Sequence, residues 1–348
     1  MGEQTAFGVL LMAHGTPASL GDLPTFLADI RRGRVPDDEE VKELAGRYEL
    51  IGGLSPLAER TAFHAKALAD ALDARLPGGY AVAMGFRHSA PSIGDAVREL
   101  FEVREVRRVI GLVLAPQFSP LSIGVYEENA RRAIDAWTAS SGAAPEAGSV
   151  LAEGSVKEEV DFTMVPSWHL ERGLGELWAE RVASSIGELE GVQRVHVLFS
   201  AHSLPVAAAG GRGGYAVRVE ETASLVASIL SIARWGASPG TSLSPAVTWS
   251  VCWQSAGTSA RAGREEWMGP DLKTALEEVS FRGYSGCVVC PVGFVSEHLE
   301  VLYDLDVDAA ATARELGLRF TRCSMLDGDR RLGEVLADVV IKNMARAR

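Results

Sequence analysis

Two patterns alternate along the chain: short runs that are apolar throughout, and longer stretches whose apolar residues recur at three and four. The first reads as strands buried on both faces, the second as helices with one buried face. FGVLLMAHG (7–15) predicts the opening strand. LPTFLADIRRG and DDEEVKELAGRYELIGG predict two helices, the second closed by a glycine pair suited to a C-terminal cap. SPLAERTAFHAKALADAL predicts a long helix with Ser55 as N-cap and Pro56 in the first helical position. A strand over 80–86, a helix over 91–103, a strand over 107–116 and a helix from about 122 to 139 follow. The small, polar stretch 138–159 reads as a loop or insertion near a domain boundary.

Beyond it the alternation resumes. DFTMVP, QRVHVLFS (193–200), AVTWSVCW (246–253) and SGCVVCPVGFV predict strands, with Pro291 to Val295 at the end of the last. WHLERGLGELWAERVASSI, AVRVEETASLVASILSIARW and PDLKTALEEVSF predict helices, with ASPGTSLSP a loop. A helix after Glu297, a short strand RFTRC and a helix RRLGEVLADVVIKNMARA close the chain. Such alternation predicts an α/β protein with parallel sheets covered by helices. The number of units suggests two sheets, and no internal repeat is evident.

At 348 residues the chain is long enough for two domains, and 47% hydrophobic with 23% charged is ordinary globular usage. A net charge of −12 and the lack of any long Lys/Arg run argue against a nucleic-acid partner; IRRGR (30–34) is the one basic cluster. No window of about 20 apolar residues predicts a membrane-spanning helix. The N-terminus reads as a first strand and not as a signal peptide. Four cysteines without an export signal suggest a cytoplasmic protein with free thiols. CVVC (287–290) lies in a strand pattern, where residues three apart face opposite ways, so it reads as packing and not as a chelating pair.

Chemistry collects just past the strand ends: His14 after the first, Arg87 and His88 after the second, Gln117 after the third. His202, Gln254 and the acids after Val295 follow the later strands. Ligands bind at that edge of open α/β sheets. His64, His169 and His196 fall on helices or within a strand and read as packed or surface residues. No G-x-G-x-x-G or G-x-S-x-G occurs after a strand, and GGRGG (210–214) lacks the Lys-Ser/Thr of a phosphate loop. What is left is histidines facing carboxylates, a set suited to metal handling and proton transfer. Glu300, Asp304 and Asp308 are spaced by four, so they stack on one helix face at a cost of roughly a few tenths of a kcal/mol per pair. A solvated face is the plain explanation. A row that passes a cation inward or a proton outward is the functional one.

SAHSLP, WQS, WMGPD and PVGFVSEHLEVLYDLD, in that order, resemble the ferrochelatase family. LLMAHGTP, IRRGR, GRYELIGGLSPL, FRHSAPSIGDAV and VLAPQFS carry the likeness through the first half, which is closest to the soluble Gram-positive type, the coproporphyrin III ferrochelatases. The resemblance implies two Rossmann-like, chelatase-type domains with a cleft between them: residues 1–160, then 161–324, with a final helix of about 325–348 packing back on the first. It implies insertion of Fe²⁺, as substrate metal, into coproporphyrin III to give Fe-coproporphyrin in haem biosynthesis. It implies His202 and Glu300 as metal-binding and proton-accepting groups, Asp304 and Asp308 continuing the metal line, and a π-type stretch in their helix. Arg31, Arg47, Tyr48, Ser55 and Tyr126 would meet the porphyrin on its propionate side. Phe118, Leu121, Ile123, Trp253 and Leu54 would supply apolar walls.

Three departures stand out against the family pattern. His14 replaces the usual Tyr that approaches the metal from the far face of the ring. RGGY (212–215) keeps Tyr215 but loses the acid of G-D-P-Y. No cysteine follows Cys323, so no iron–sulfur cluster is expected. The expected partners are the porphyrin, an iron donor and a downstream haem-pathway enzyme, with the protein itself a monomer. The rival readings are a protoporphyrin IX ferrochelatase, a cobalt chelatase of related fold, and a non-catalytic tetrapyrrole or metal carrier.

Overall fold

The computed structural model describes residues 7–141, 160–210, 214–234, 247–256 and 266–346; the stretch 142–159, the middle of GGRGG and the loop ASPGTSLSP lie outside the described residues. Among the described residues the strands form two parallel sheets. In the first, β1 (Phe7–Ala13) lies between β2 (Tyr80–Phe86) and β3 (Arg108–Val113), with β4 (Asp161–Met164) beyond β3. In the second, β5 (Val195–His202) is central, β6 (Ala233–Arg234) and β7 (Val247–Gln254) lie to one side, and β8 (Gly286–Cys290) and β9 (Arg319–Arg322) to the other. All the pairings are parallel, so the chemistry-bearing ends of each sheet share one edge.

The helices are α1 (Leu23–Ile30), α2 (Asp38–Leu50), α3 (Leu57–Arg75), α4 (Ile93–Arg98), α5 (Ile123–Ser141) and α6 (Arg172–Glu188). After them come α7 (Tyr215–Leu230), α8 (Leu272–Phe281), α9 (Leu299–Val301), α10 (Ala310–Glu315) and α11 (Arg330–Arg346). Among the described residues no helix is long and apolar enough to cross a membrane.

β1 shows why a continuous apolar run makes a central parallel strand. Val9 and Leu11 point into one hydrophobic cluster, Leu10 and Met12 into another on the opposite face. Each such side chain contributes about 1.5–3 kcal/mol when fully buried. The first cluster continues through Trp178 and Val182 of α6 into Val197 and Phe199 of β5, so one apolar body spans both sheets. The last helix, α11, lies along α3 and also touches α6 and β3. Gly333 permits that close approach: a Cβ there would meet the Ala67 carbonyl oxygen at 2.5 Å.

Several element expectations are corrected. β8 ends at Cys290; Pro291 to Val295, with Val292 and Val295 buried, forms a turn, Val292 N–H donating to Cys290 O and Phe294 N–H to Pro291 O. α3 starts at Leu57 with Pro56 as its cap residue, and Ser55 Oγ accepts from Leu57 N–H at 3.3 Å. The strand expected over 107–116 stops at Val113, and the helix expected to run through Trp235 ends at Leu230, giving way to β6. α6 begins only at Arg172, so His169 sits in the preceding turn, bridging Ser167 and Glu221. α4 runs on into a π turn, Glu99–Val103.

Candidate active site

The C-terminal edges of the two sheets face a cavity of about 490 Å³. β1 delivers His14 to it, β2 Arg87, β5 His202, and the turn after β8 delivers Ser296, His298 and Glu300. The turn reaches β5 because residue 293 is glycine. A Cβ on Gly293 would lie 2.5 Å from that of Ala201, and its N–H donates to Ser200 O at 3.1 Å. A larger open hollow of about 720 Å³ lies at the opposite strand ends, beside Arg108 and Asp161. Its arginines already have partners, Arg108 with Asp161 and Arg131 with Glu127.

Glu300 lies between two imidazoles. His202 Nε2 is 3.5 Å from Glu300 Oε1, and His298 Nε2 is 3.6 Å from Oε2. The other ring nitrogen of each is occupied: His202 Nδ1 donates to Ser203 O, and His298 Nδ1 to Ser296 O at 3.0 Å. His14 follows the same plan, with Nδ1 against Gly15 O at 3.3 Å. Three rings thus have Nδ1–H on a backbone carbonyl and Nε2 left for the chemistry.

The electrostatics differ sharply across the cleft. Burial opposes charge on His202, but Glu300, the Ser203 carbonyl and Asp304 outweigh it and raise the pKa to about 9. Burial likewise opposes charge on Glu300, but His202 and His298 hold its carboxyl well below the usual range. Each side chain is still about a third open to the cleft, 34% and 38%. His14 is open to the cleft too, yet desolvation at its floor, followed by the His88 ring 4.7 Å away, lowers its pKa to about 4. His88 is itself held by Asp29, Nδ1 to Oδ2 at 2.6 Å.

The acidic row is real but does not converge on one point. Leu302–Ala309 is a π-helical segment between α9 and α10, whose i→i+5 bonding widens the turn. Asp304 is tied to the end of β7 and the residue after it: Ser255 Oγ donates to its Oδ2, and Gln254 Nε2 lies at 3.5 Å. Ser255 adopts a left-handed φ of 58°, a strained setting for a residue with a side chain. Burial, partly offset by Ser255 and then reinforced by Glu300, raises the Asp304 pKa to about 6. Burial, followed by the nearby Asp308 carboxylate, raises the Tyr303 pKa. Asp306, off the row, takes a two-pronged ion pair from Arg322. Among the described residues no three of His, Cys, Asp or Glu gather tightly enough to hold a metal ion by themselves.

Of the porphyrin contacts expected from sequence, His14, Tyr48, Ser55 and Tyr126 line the cavity. Arg31 and Arg47 do not. Arg31 pairs with Glu40 one residue beyond the lining Ile30, and Arg47 pairs with Glu43 at 2.7 Å while its guanidinium covers the Tyr303 ring at 5.2 Å. The lining guanidinium is that of Arg87, beside the Tyr126 ring. Leu121 alone of the five expected apolar residues faces the cavity; other apolar lining comes from residues including Phe26, Ile30, Leu44, Leu57 and Phe294. Trp253 is buried against Tyr215 instead.

The family model for Ferrochelatase matches residues 6–344. The chain is 36% identical over 348 aligned residues to a "Ferrochelatase" of Thermus thermophilus, covering 95% of this chain and 98% of that one. It is 35% identical to a "Ferrochelatase" of Deinococcus radiodurans, covering 99% and 98%. It is 32% identical to "Coproporphyrin III ferrochelatase 2" of Bacillus cereus, covering 98% and 96%. The chain belongs to the ferrochelatase family, whose members insert a metal into a porphyrin.

Proposed function

We propose that the protein inserts Fe²⁺ into coproporphyrin III to give Fe-coproporphyrin. The observation that carries this is Glu300 between the Nε2 atoms of His202 and His298 on one wall of an apolar cavity, with His14 on the other sheet. The similar Bacillus cereus protein named for coproporphyrin III supports the choice of ring. So does the arginine-rich end of α1 beside the cavity, where Arg31 can exchange Glu40 for a propionate.

The charges suggest the order of events. At neutral pH His202, with a pKa of about 9, is an imidazolium and cannot accept a proton. Glu300 is the free anion, so it meets the incoming cation first. A divalent charge at Glu300 cancels the field that held the proton on His202, and that proton leaves to solvent. The freed Nε2 then accepts one pyrrole proton as the metal enters the ring. His14, neutral at pH 7, directs its Nε2 lone pair toward the ring from the other sheet. The second pyrrole proton passes to the Glu300 carboxylate, which lines the cavity and is vacated as the metal moves into the ring, and from there to solvent.

The test is anaerobic insertion of Fe²⁺ into coproporphyrin III and protoporphyrin IX in parallel, followed by visible absorption. Many turnovers on coproporphyrin III with little on protoporphyrin is the expected result. Preference for protoporphyrin would overturn the choice of ring, and binding of either ring without turnover would favour a carrier.

A further inference from the structure

Behind the wall that carries His298 and Glu300, polar atoms gather where the two sheets meet. His64 of α3 is 0% exposed, and neither of its ring nitrogens has a hydrogen-bond partner. Its Nε2 lies 3.5 Å from Asp327 Oδ1, which is also unpartnered. Arg60 Nε, one α3 turn earlier, is buried without a partner 4.0 Å from Asp327 Oδ2. Buried polar groups at such separations are commonly joined through water. The remaining bond of Asp327 is short and direct: its Oδ2 accepts the backbone N–H of Glu297 at 2.7 Å.

That bond falls at a sensitive place. His298, the N-cap residue of α9, makes no side-chain cap bond, so nothing within the helix fixes its first turn. Glu297 is instead pinned twice from outside, through its N–H by Asp327 and through its carboxylate by Arg322 at 3.3 Å. Arg322 also grips Asp306 within the π segment. The start of the helix is therefore referenced to α3 of the first sheet and its middle to β9 of the second.

We propose that Asp327, seated by His64 and Arg60, is a positioning residue that sets where Glu300 stands in the cleft. The role in insertion rests on the function proposed above; the structural part does not. Three variants test it. Asp327→Asn keeps an oxygen for the Glu297 N–H. Asp327→Ala removes it, and Asp327→Leu removes it while filling the space, which guards against simple loss of packing. Amide hydrogen exchange is read across residues 297–303, together with porphyrin affinity by fluorescence quenching and the insertion rate at saturating porphyrin and Fe²⁺. In the Ala and Leu variants, exchange should quicken in that segment alone. Their insertion should fall about 10- to 100-fold, as expected for a displacement of about 1 Å, with porphyrin affinity within about threefold. The Asn variant should recover both to within about threefold of wild type. Unchanged local exchange, or equal loss in all three variants, overturns the proposal. If the wild type itself inserts no metal, the reading of function has failed, and the exchange result still decides the positioning role.

Discussion

Glu300 makes His202 a charged group at neutral pH, and this has a consequence for stability. The folded pKa of His202, about 9, lies above its ordinary 6.5, so folding binds a proton the unfolded chain releases. The contribution is fully present below pH 6.5 and is lost as pH rises through about 9. Glu300 works in the other direction: its depressed pKa contributes stability above 4.5 that disappears as pH falls through the folded value. Substituting Glu300→Gln removes both effects. The stability difference between wild type and variant should therefore be widest between about pH 4.5 and 6.5 and shrink toward pH 9. Urea midpoints at about pH 5.5, 7.5 and 9.5 check this. A difference that stays flat or grows with pH would mean the two residues are not coupled in solution. Both groups are about a third exposed, so solvent screening keeps the effect modest.

The element that brings these residues together is a turn followed by an irregular helix. Gly293→Ala tests the turn. The added methyl would overlap Ala201, one residue before His202, and the chain must move to relieve it. Overpacking of this kind costs about 1–3 kcal/mol. Insertion should drop at least about tenfold while circular dichroism stays native, because a small shift moves Glu300 relative to His202. Wild-type turnover in the variant would show the contact is slack. The same segment marks what sequence can and cannot reveal. The strands were legible because burial on both faces leaves a continuous apolar signature, and the chemistry was legible because it follows their ends. The turn at Pro291 to Val295 mimics a strand in sequence because its residues are as apolar as those of β8, and its hydrogen bonding distinguishes it, with Gly293 and Phe294 only partly buried. Residues two apart do not meet on a helix, so nothing in the spacing pairs His298 with Glu300. His298 is extended, φ −155° and ψ 176°, and this lets its ring return to the carboxylate. The π bonding leaves no mark in residue spacing, and its presence rested on resemblance alone. Arg47 illustrates the limit for side chains: its motif places it on α2, but its contact with Tyr303 depends on an element more than 250 residues away.

At the scale of the molecule, the cleft needs both sheets held at a fixed distance, and the packing couples them. One apolar cluster runs from Val9 and Leu11 of β1, through Trp178 and Val182 of α6, to Val197 of β5. α11 closes the arrangement by lying against α3 of the first layer and α6 of the second. Gln117, beyond β3, adds a polar tie, donating to Thr222 Oγ1 on α7 and to Val292 O in the turn after β8, both at 3.0 Å. Two separate cores would melt independently, whereas a shared one melts as a unit. Leu336 of α11 is fully buried in the shared cluster, so Leu336→Ala should cost about 2–5 kcal/mol. Far-ultraviolet circular dichroism and tryptophan fluorescence should report a single denaturant transition in both proteins, displaced as a whole in the variant. A variant curve that splits in two, or moves at only one probe, would show that the sheets fold separately. The distance between His14 and Glu300 would then be set by a hinge, and closure around the ring would become part of the reaction.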